Sequence, residues 1–206
     1  NSTNSNTVSK EASMIGVKNI CTSSTGGVYL KDQILVDDFE SSPYGFLKLQ
    51  EEKMFSELAE QGAKVVIPRV FNISGPYTNK DNLYMLPSLI SQALNSRSIE
   101  ILSKKKIYRS YVGISDLLST IFGCMILMES GNSVIYDTCG ISKVEIGELA
   151  EIIRDLLNKD AKILRPEVDK ESEQDIYIGS RAKIKSLISE LKINESSLED
   201  QILCTA

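Results

Sequence analysis

Histidine does not occur in this chain of 206 residues, and neither does tryptophan. Without imidazole, Ser–His–Asp and Cys–His arrangements are excluded, and a zinc site loses its commonest nitrogen ligand. Any proton transfer near neutral pH must therefore use Tyr, Lys or a carboxylate. Cysteine is sparse: Cys21, Cys124, Cys139 and Cys204 lie far apart with no CxxC spacing, which argues against a metal knuckle or a dithiol redox site. Three of them sit inside apolar runs, so buried free thiols are expected. No signal-peptide pattern opens the sequence, and a reduced, cytoplasmic setting is the expectation. Long apolar runs are missing too. The longest, around Ile121 to Met128, is far short of the roughly 20 residues of a membrane-spanning helix. Nor is there an excess of positive charge. The 23 Lys and Arg against 28 Asp and Glu leave a net charge of −5, so neither nucleic acid nor an anionic membrane is an expected partner. The cluster Lys104-Lys105-Lys106 reads as a solvated turn.

What is present fits a soluble globular protein. Hydrophobic residues make up 42% and charged residues 25%, ordinary values, and the length suffices for one domain with a sizeable core without requiring two. Residues 1–7 are polar and read as a frayed start, and Val8 to Gly16 as the end of a helix stopped by a glycine. Val17 to Thr22 reads as a short buried strand entering a Ser/Thr/Gly turn. Residues 30–43 form a loop, and Pro43 suits the first turn of a helix running to about Gln61, with Gly62 as its stop. Ala63 to Phe71 contains Val65-Val66-Ile67, a central-strand pattern, and Asn72 to Asp81 is a Gly/Pro/Asn loop.

Further on, Leu83 to Asn95 reads as a helix, and Ile99 to Leu102 and Ile107 to Val112 as short strands. Ser115 to Met128 is apolar on nearly all sides, which predicts a buried helix, and Val134-Ile135-Tyr136 another strand. Ser142-Lys143-Val144-Glu145 fits a capping box, opening a helix with Ile146, Leu149, Ile153 and Leu156 at helical spacing. Residues 166–175 are acidic and loop-like, and two short helices near 180–190 and 196–204 finish the chain. Strands and helices alternating at these lengths indicate an α/β parallel sheet followed by a smaller mixed region.

Tyr44 and Lys48 carry the chemistry. A tyrosine hydroxyl ionises near pH ~10, too high for a base at neutral pH, and a nearby ammonium lowers that value by stabilising the phenolate. Four residues apart on the helix opened by Pro43, the two side chains share a face. Tyr44 can then take a proton from an alcohol as hydride leaves the same carbon, or return it in reduction. A hydroxyl at the end of the neighbouring strand would orient the substrate oxygen, and Thr25 is the candidate.

Three segments taken in order carry a resemblance: Thr22-Ser23-Ser24-Thr25-Gly26-Gly27-Val28-Tyr29, then Pro43-Tyr44-Gly45-Phe46-Leu47-Lys48, then Arg69-Val70-Phe71-Asn72-Ile73-Ser74-Gly75-Pro76. Together they resemble the second half of an extended short-chain dehydrogenase/reductase, the NAD-dependent nucleotide-sugar epimerase/dehydratase family. The resemblance implies part of a Rossmann-like, doubly wound parallel sheet with its catalytic helix over residues 1–80. Over residues 81–206 it implies a mainly substrate-binding region, with one or two segments returning to the sheet. It implies NAD or NADP as cofactor, a nucleotide-sugar substrate, and a homodimer built on the Tyr44 helix and the helix before it. Thr25 precedes Tyr29 by four residues, as the family's catalytic Ser or Thr does, and Tyr44 and Lys48 match its catalytic pair. By the same analogy Phe71 approaches the nicotinamide, Asn72 holds the diphosphate or sugar side, and Asn1 falls where the family often has a cofactor-contacting asparagine. Arg109-Ser110-Tyr111-Val112-Gly113-Ile114-Ser115-Asp116-Leu117 resembles a segment whose arginine contacts the nucleotide diphosphate. A guanidinium fork suits two phosphate oxygens, while an ordinary surface arginine is the other reading of Arg109. Asp116 is expected to cap the helix that follows.

The departures from the pattern are equally specific. The glycine-rich G-x-x-G-x-x-G turn that cradles the pyrophosphate at a helix N-terminus is missing, as is the residue that selects NAD over NADP. The expectation is a fragment, or ordered remainder, of a longer protein. An apolar strand edge near Val17 to Thr22 would then be open to pairing, unless upstream residues accompany it. Gly26-Gly27 stand where sugar dehydratases resemble Asp-Glu, which favours an epimerase or simple reductase. A late phosphate-binding arginine has no clear counterpart near Asp175. The alternative is a catalytically silent, dinucleotide-sensing or scaffold protein of the same fold, and the joint presence of Thr25, Tyr44 and Lys48 favours the enzyme.

Overall fold

The computed structural model describes residues 2–78 and 83–206. In chain order its first elements are α1 (Ser2–Met14), β1 (Asn19–Cys21), β2 (Ser24–Thr25), α2 (Pro43–Ser56), β3 (Lys64–Val70), β4 (Ile73–Ser74), α3 (Met85–Asn95), β5 (Ser98–Glu100) and β6 (Ile107–Arg109). They are followed by β7 (Val112–Gly113), α4 (Ile114–Leu127), β8 (Ser133–Asp137), β9 (Val144–Glu145), α5 (Ile146–Leu157), β10 (Lys162–Leu164), β11 (Asp175–Tyr177), α6 (Arg181–Leu191) and α7 (Leu198–Thr205). The chain divides into two units. One comprises Asn1–Phe71, Leu117–Thr138 and Gly179–Ile193, and the other Asn72–Asp116, Cys139–Ile178 and Asn194–Ala206.

In the first unit β3 is the central strand. Val65 and Val66 pair in parallel with β1 on one side and with β8 on the other, and Arg69 pairs with Ser24 of β2 and Asp137 of β8. It follows that β1 and β2 run in succession along one edge and β8 along the other. Val65, Val66 and Ile67 are fully buried, which an unbroken apolar run achieves only where both sheet faces are covered. Val65 and Ile67 pack with Ile20, Phe55, Leu58 and Ala63 in one core. Alternation turns Val66 to the opposite face. Among the described residues β1 and β2 pair with no strand but β3.

The second unit is built around α3, α5 and α7. Leu86, Ile90, Leu149, Ile153, Ile99 and Ile202 form its core. Short parallel pairs, β4 with β7, β5 with β10 and β6 with β11, are joined by one antiparallel pair, β6 with β9. The α/β class and its parallel pairing agree with the sequence expectation.

Several local expectations are corrected. The polar start is helical from Ser2, because Ser5 donates to Glu51 at 2.7 Å and Ser13 to Gln61 at 2.6 Å, so side-chain hydrogen bonds anchor an α1 that has little apolar face. The helix opened by Pro43 ends at Ser56, earlier than expected. A separate 3-10 turn, Ala59–Gln61, then leads to Gly62, whose φ of 90° is the left-handed conformation that a glycine stop requires. Ser142 does not cap α5. Val144 and Glu145 are drawn into pairing with β6, and Glu145 takes the cap, accepting the Gly147 N–H at 2.7 Å. Asp116 lies inside α4 and ties Ser196, accepting its N–H at 2.9 Å and its hydroxyl at 3.1 Å. α4 is not buried all round: Leu118, Phe122 and Ile126 form an outward stripe, with Ile126 75% exposed. All four cysteines are free, but only Cys124 and Cys139 are buried, because Cys21 and Cys204 occupy outward positions of their elements.

Candidate active site

Thr25 ends β2 and caps the 3-10 turn Gly26–Val28, its Oγ1 accepting the Gly27 N–H at 3.1 Å. The first turn of α2 lies directly on this turn. Ser42 caps that helix, accepting the Gly45 N–H at 3.3 Å, and Pro43 follows at the first helical position, where its missing N–H costs nothing. Gly45 makes the approach possible, since a Cβ there would stand 2.2 Å from the Gly27 carbonyl oxygen. Tyr44 and Thr25 consequently flank Gly27. A Cβ on Gly27 would lie 3.5 Å from the Thr25 side chain and 3.6 Å from Cδ1 of Tyr44. The Tyr44 ring is 60% exposed, open to a ligand on this surface.

Lys48, one turn along, is not unengaged. Its Nζ donates to Glu51 Oε2 at 2.5 Å, and Glu51 also accepts the Ser5 hydroxyl from α1. Burial raises the Glu51 pKa, but the hydrogen bonds from Lys48 and Ser5 outweigh it and hold the carboxyl below its ordinary value.

Beneath these groups lies a buried ionic network. Glu52, 4% exposed, accepts a fork from Arg69, with Nε at 2.9 Å and Nη2 at 2.7 Å. Arg69 Nη1 donates to the Tyr29 hydroxyl at 2.6 Å, and that hydroxyl donates to Asp137 Oδ1 at 3.0 Å. Asp137 Oδ2 accepts the Ser180 N–H at 2.9 Å. Burial, then the Asp137 charge, pushes the Tyr29 pKa up. Burial disfavours the Arg69 cation, yet the Glu52 fork more than offsets it and the guanidinium stays charged. The network joins α2, β3, β8 and the turn after Thr25. Sequence reasoning missed Glu52 and Asp137 and gave Arg69 no role. One signal was available: Glu52 follows Lys48 by the same four residues that separate Lys48 from Tyr44.

Phe71 belongs to the same unit. Its ring stacks on Tyr29 with centroids 6.2 Å apart, and its N–H donates to Thr138 Oγ1 at 3.0 Å. Asn72 and Arg109 belong to the second unit. Asn72 Nδ2 donates to the carbonyls of Ser110 at 3.1 Å and Tyr177 at 3.2 Å, so both its N–H bonds are committed to backbone. Arg109 forks onto Asp175 with both nitrogens at 3.0 Å and lies over the Tyr177 ring. Asn1 lies outside the described residues. Among the described residues no cluster of three or more Cys, Asp or Glu is placed to hold a metal, and no helix is long and apolar enough to cross a membrane.

A parallel α/β sheet with a hydroxyl at one strand end, beside an exposed tyrosine and a lysine one turn on, defines the class of dinucleotide-using short-chain oxidoreductase folds. The profile of the NAD dependent epimerase/dehydratase family matches residues 1–135, and the chain belongs to that family. Over 116 residues it is 28% identical to UDP-glucuronic acid decarboxylase 5 of Arabidopsis thaliana, a match spanning 56% of this chain and 33% of the decarboxylase. Among solved structures, a UDP-N-acetylglucosamine 4-epimerase from Methanobrevibacter ruminantium, in complex with UDP-N-acetylmuramic acid, superposes with TM-score 0.75 at 19% identity, covering 98% of this chain and 66% of that one. MoeE5, in complex with UDP-glucose and NAD, gives 0.72 at 18% identity, covering 98% of this chain and 68% of that one. These likenesses establish the fold. On α2 the Tyr44 phenol is exposed, whereas the Lys48 ammonium is engaged by Glu51. The sequence holds no glycine-rich G-x-x-G-x-x-G turn.

Proposed function

We propose that the protein is an NAD(P)-dependent epimerase or reductase of nucleotide-diphosphate sugars in which Tyr44 moves the proton. The observation that carries this reading is the closeness of both Thr25 and Tyr44 to Gly27, with the Tyr44 side chain exposed and Thr25 half-buried. Thr25 Oγ1 accepts the Gly27 N–H, which leaves its own O–H free to donate to a substrate oxygen. That bond fixes the sugar hydroxyl in front of the Tyr44 oxygen, which accepts the hydroxyl proton as the carbon is oxidised and returns it on reduction. The dinucleotide, when bound, supplies the hydride acceptor and donor. Lys48 stabilises the Tyr44 phenolate across one helical turn. In the second unit Arg109 is the diphosphate ligand, released from Asp175, and Asn72 holds the backbone of its own unit rather than offering N–H donors. Phe71 forms an apolar wall for the nicotinamide. A homodimer and a cytoplasmic setting belong to the same proposal.

The nucleotide-sugar class is supported by the solved relatives, whose ligands include UDP-glucose and UDP-N-acetylmuramic acid. One observation favours the second reading, a catalytically silent relative: Lys48 is held by Glu51. Turnover of nucleotide sugars by the natural protein and its Tyr44→Phe variant decides between them. The enzyme reading expects a loss of about 100-fold or more in kcat with cofactor affinity unchanged. Equal rates in the two proteins would remove Tyr44 from the mechanism.

A further inference from the structure

We infer that Asp175 is a built-in competitor for the anion site of Arg109: its carboxylate fills the guanidinium fork, and a diphosphate binds there only by turning that carboxylate out. The inference deepens the reading in which Arg109 is the diphosphate ligand, and rests on it. Arg109 Nη1 donates to Asp175 Oδ1 and Nη2 to Oδ2, both at 3.0 Å. Two parallel N–H bonds to two oxygens of one acid are also the geometry in which a guanidinium takes a phosphate. The carboxylate therefore stands where the anion would, and the two cannot share the fork.

The sheet of the second unit builds this arrangement. β11 pairs with β6 in parallel, with Tyr177 opposite Arg109 and Asp175 opposite Ile107. Residues two apart share a face, so Asp175 and Tyr177 both lie on the side of Arg109. The guanidinium has supports besides the acid. Nη1 also donates to the carbonyls of Tyr108 at 2.9 Å and Asp175 at 3.3 Å, and the Tyr177 ring centroid is 5.9 Å from Cζ. The backbone of the acid is fixed as well, since the Asp175 N–H donates to the Lys106 carbonyl at 2.9 Å. The stretch before it is tied to the same lysine run, with the Asp169 N–H on the Lys104 carbonyl at 2.8 Å and Arg165 Nη2 on that of Lys105 at 3.0 Å. What remains to move is the Asp175 side chain, 48% exposed against 17% for Arg109. Rotation about its Cα–Cβ bond empties the fork while the arginine stays in place. Binding then costs little ordering of the arginine, and its main cost is the half-exposed ion pair given up.

The test is the affinity of the natural protein and its variants for UDP, measured by titration calorimetry. Asp175→Asn removes the competing charge and keeps the side-chain shape, and it is expected to bind UDP about fivefold more tightly. Glu171→Gln removes one charge from the same acidic stretch but leaves the Asp175 carboxylate in place, and is expected to change the affinity by less than about twofold. Arg109→Met is expected to weaken binding by about tenfold or more. In that background Asp175→Asn is expected to gain less than about twofold, since no fork remains to be emptied. A gain in Asp175→Asn no larger than in Glu171→Gln, an equal gain with and without Arg109, or no binding of UDP to Asp175→Asn would overturn the inference. Weaker binding in Arg109→Met without a gain in Asp175→Asn sinks the competitor alone and leaves the diphosphate reading standing, whereas an unchanged affinity in Arg109→Met sinks both.

Discussion

Replacing Glu52 by alanine should destabilise the first unit far more than the loss of an ordinary helix-surface glutamate. The side chain is 4% exposed and takes both Nε and Nη2 of Arg69. Its removal leaves the Arg69 guanidinium with two N–H donors unpaired. Breaking a buried pair from one side costs about 3–5 kcal/mol. Arg69 keeps Tyr29 and has Asp137 at 3.9 Å, which places the expected loss near the lower end, about 3 kcal/mol. With a urea dependence of about 2 kcal/mol per molar, the unfolding midpoint falls by about 1.5 M. The chain has no tryptophan, so circular dichroism in the far ultraviolet is the natural probe. The pair should also be less costly to remove together than singly: Glu52→Leu with Arg69→Met is expected to be more stable than Glu52→Ala, because no guanidinium is left stranded while Asp137 keeps the Tyr29 hydroxyl and the Ser180 N–H as donors. A loss below about 1 kcal/mol for Glu52→Ala, the size of an exposed pair, would refute the claim that this network holds α2 to the sheet.

Two further outcomes follow from the same structure. Gly45→Ala gains helix propensity of about 1 kcal/mol, yet its Cβ meets backbone at 2.2 Å. The clash is expected to win by 1–3 kcal/mol, lowering the thermal midpoint and displacing α2, while a neutral Gly45→Ala would deny the close seat of the helix on the Thr25 turn. For Glu145, burial raises the pKa, but bonds from Arg165 and the N–H groups of Gly147 and Ile107 hold it below the ordinary 4.5. A carboxyl depressed in the folded state stabilises above its unfolded value and loses that stabilisation as pH falls through the folded one. The stability advantage of the natural chain over Glu145→Gln, measured by urea unfolding, should therefore be constant near neutrality and shrink below about pH 4.5. An advantage that stayed constant to pH 2 would contradict it.

Much of the scaffold was legible before any coordinates. The run Val65-Val66-Ile67 announces a strand covered on both faces because only such a strand can bury every side chain. Ser42-Pro43 announces the start of α2 through the physics of unpaired N–H groups. Two-residue strands such as β4 and β9 carry no periodicity to read, and pairing with β6 is what moved the α5 cap from Ser142 to Glu145. Thr25, Tyr44 and Lys48 stand out as candidates in the sequence because the motif holds their order and spacing. The network of Glu52, Arg69, Tyr29 and Asp137 was not, because a charged residue reads as solvated until its partners on three other segments are known. Asn72 and Arg109 show the same limit, since the groups occupying their donors come from distant parts of the chain.

In the proposed mechanism one sugar oxygen sits between the Thr25 and Tyr44 hydroxyls. The structure of the natural protein with a bound nucleotide sugar tests this most directly. A single sugar hydroxyl is expected within about 3 Å of both Thr25 Oγ1 and Tyr44 Oη. A sugar ring bound with its reacting hydroxyl remote from either oxygen would contradict it.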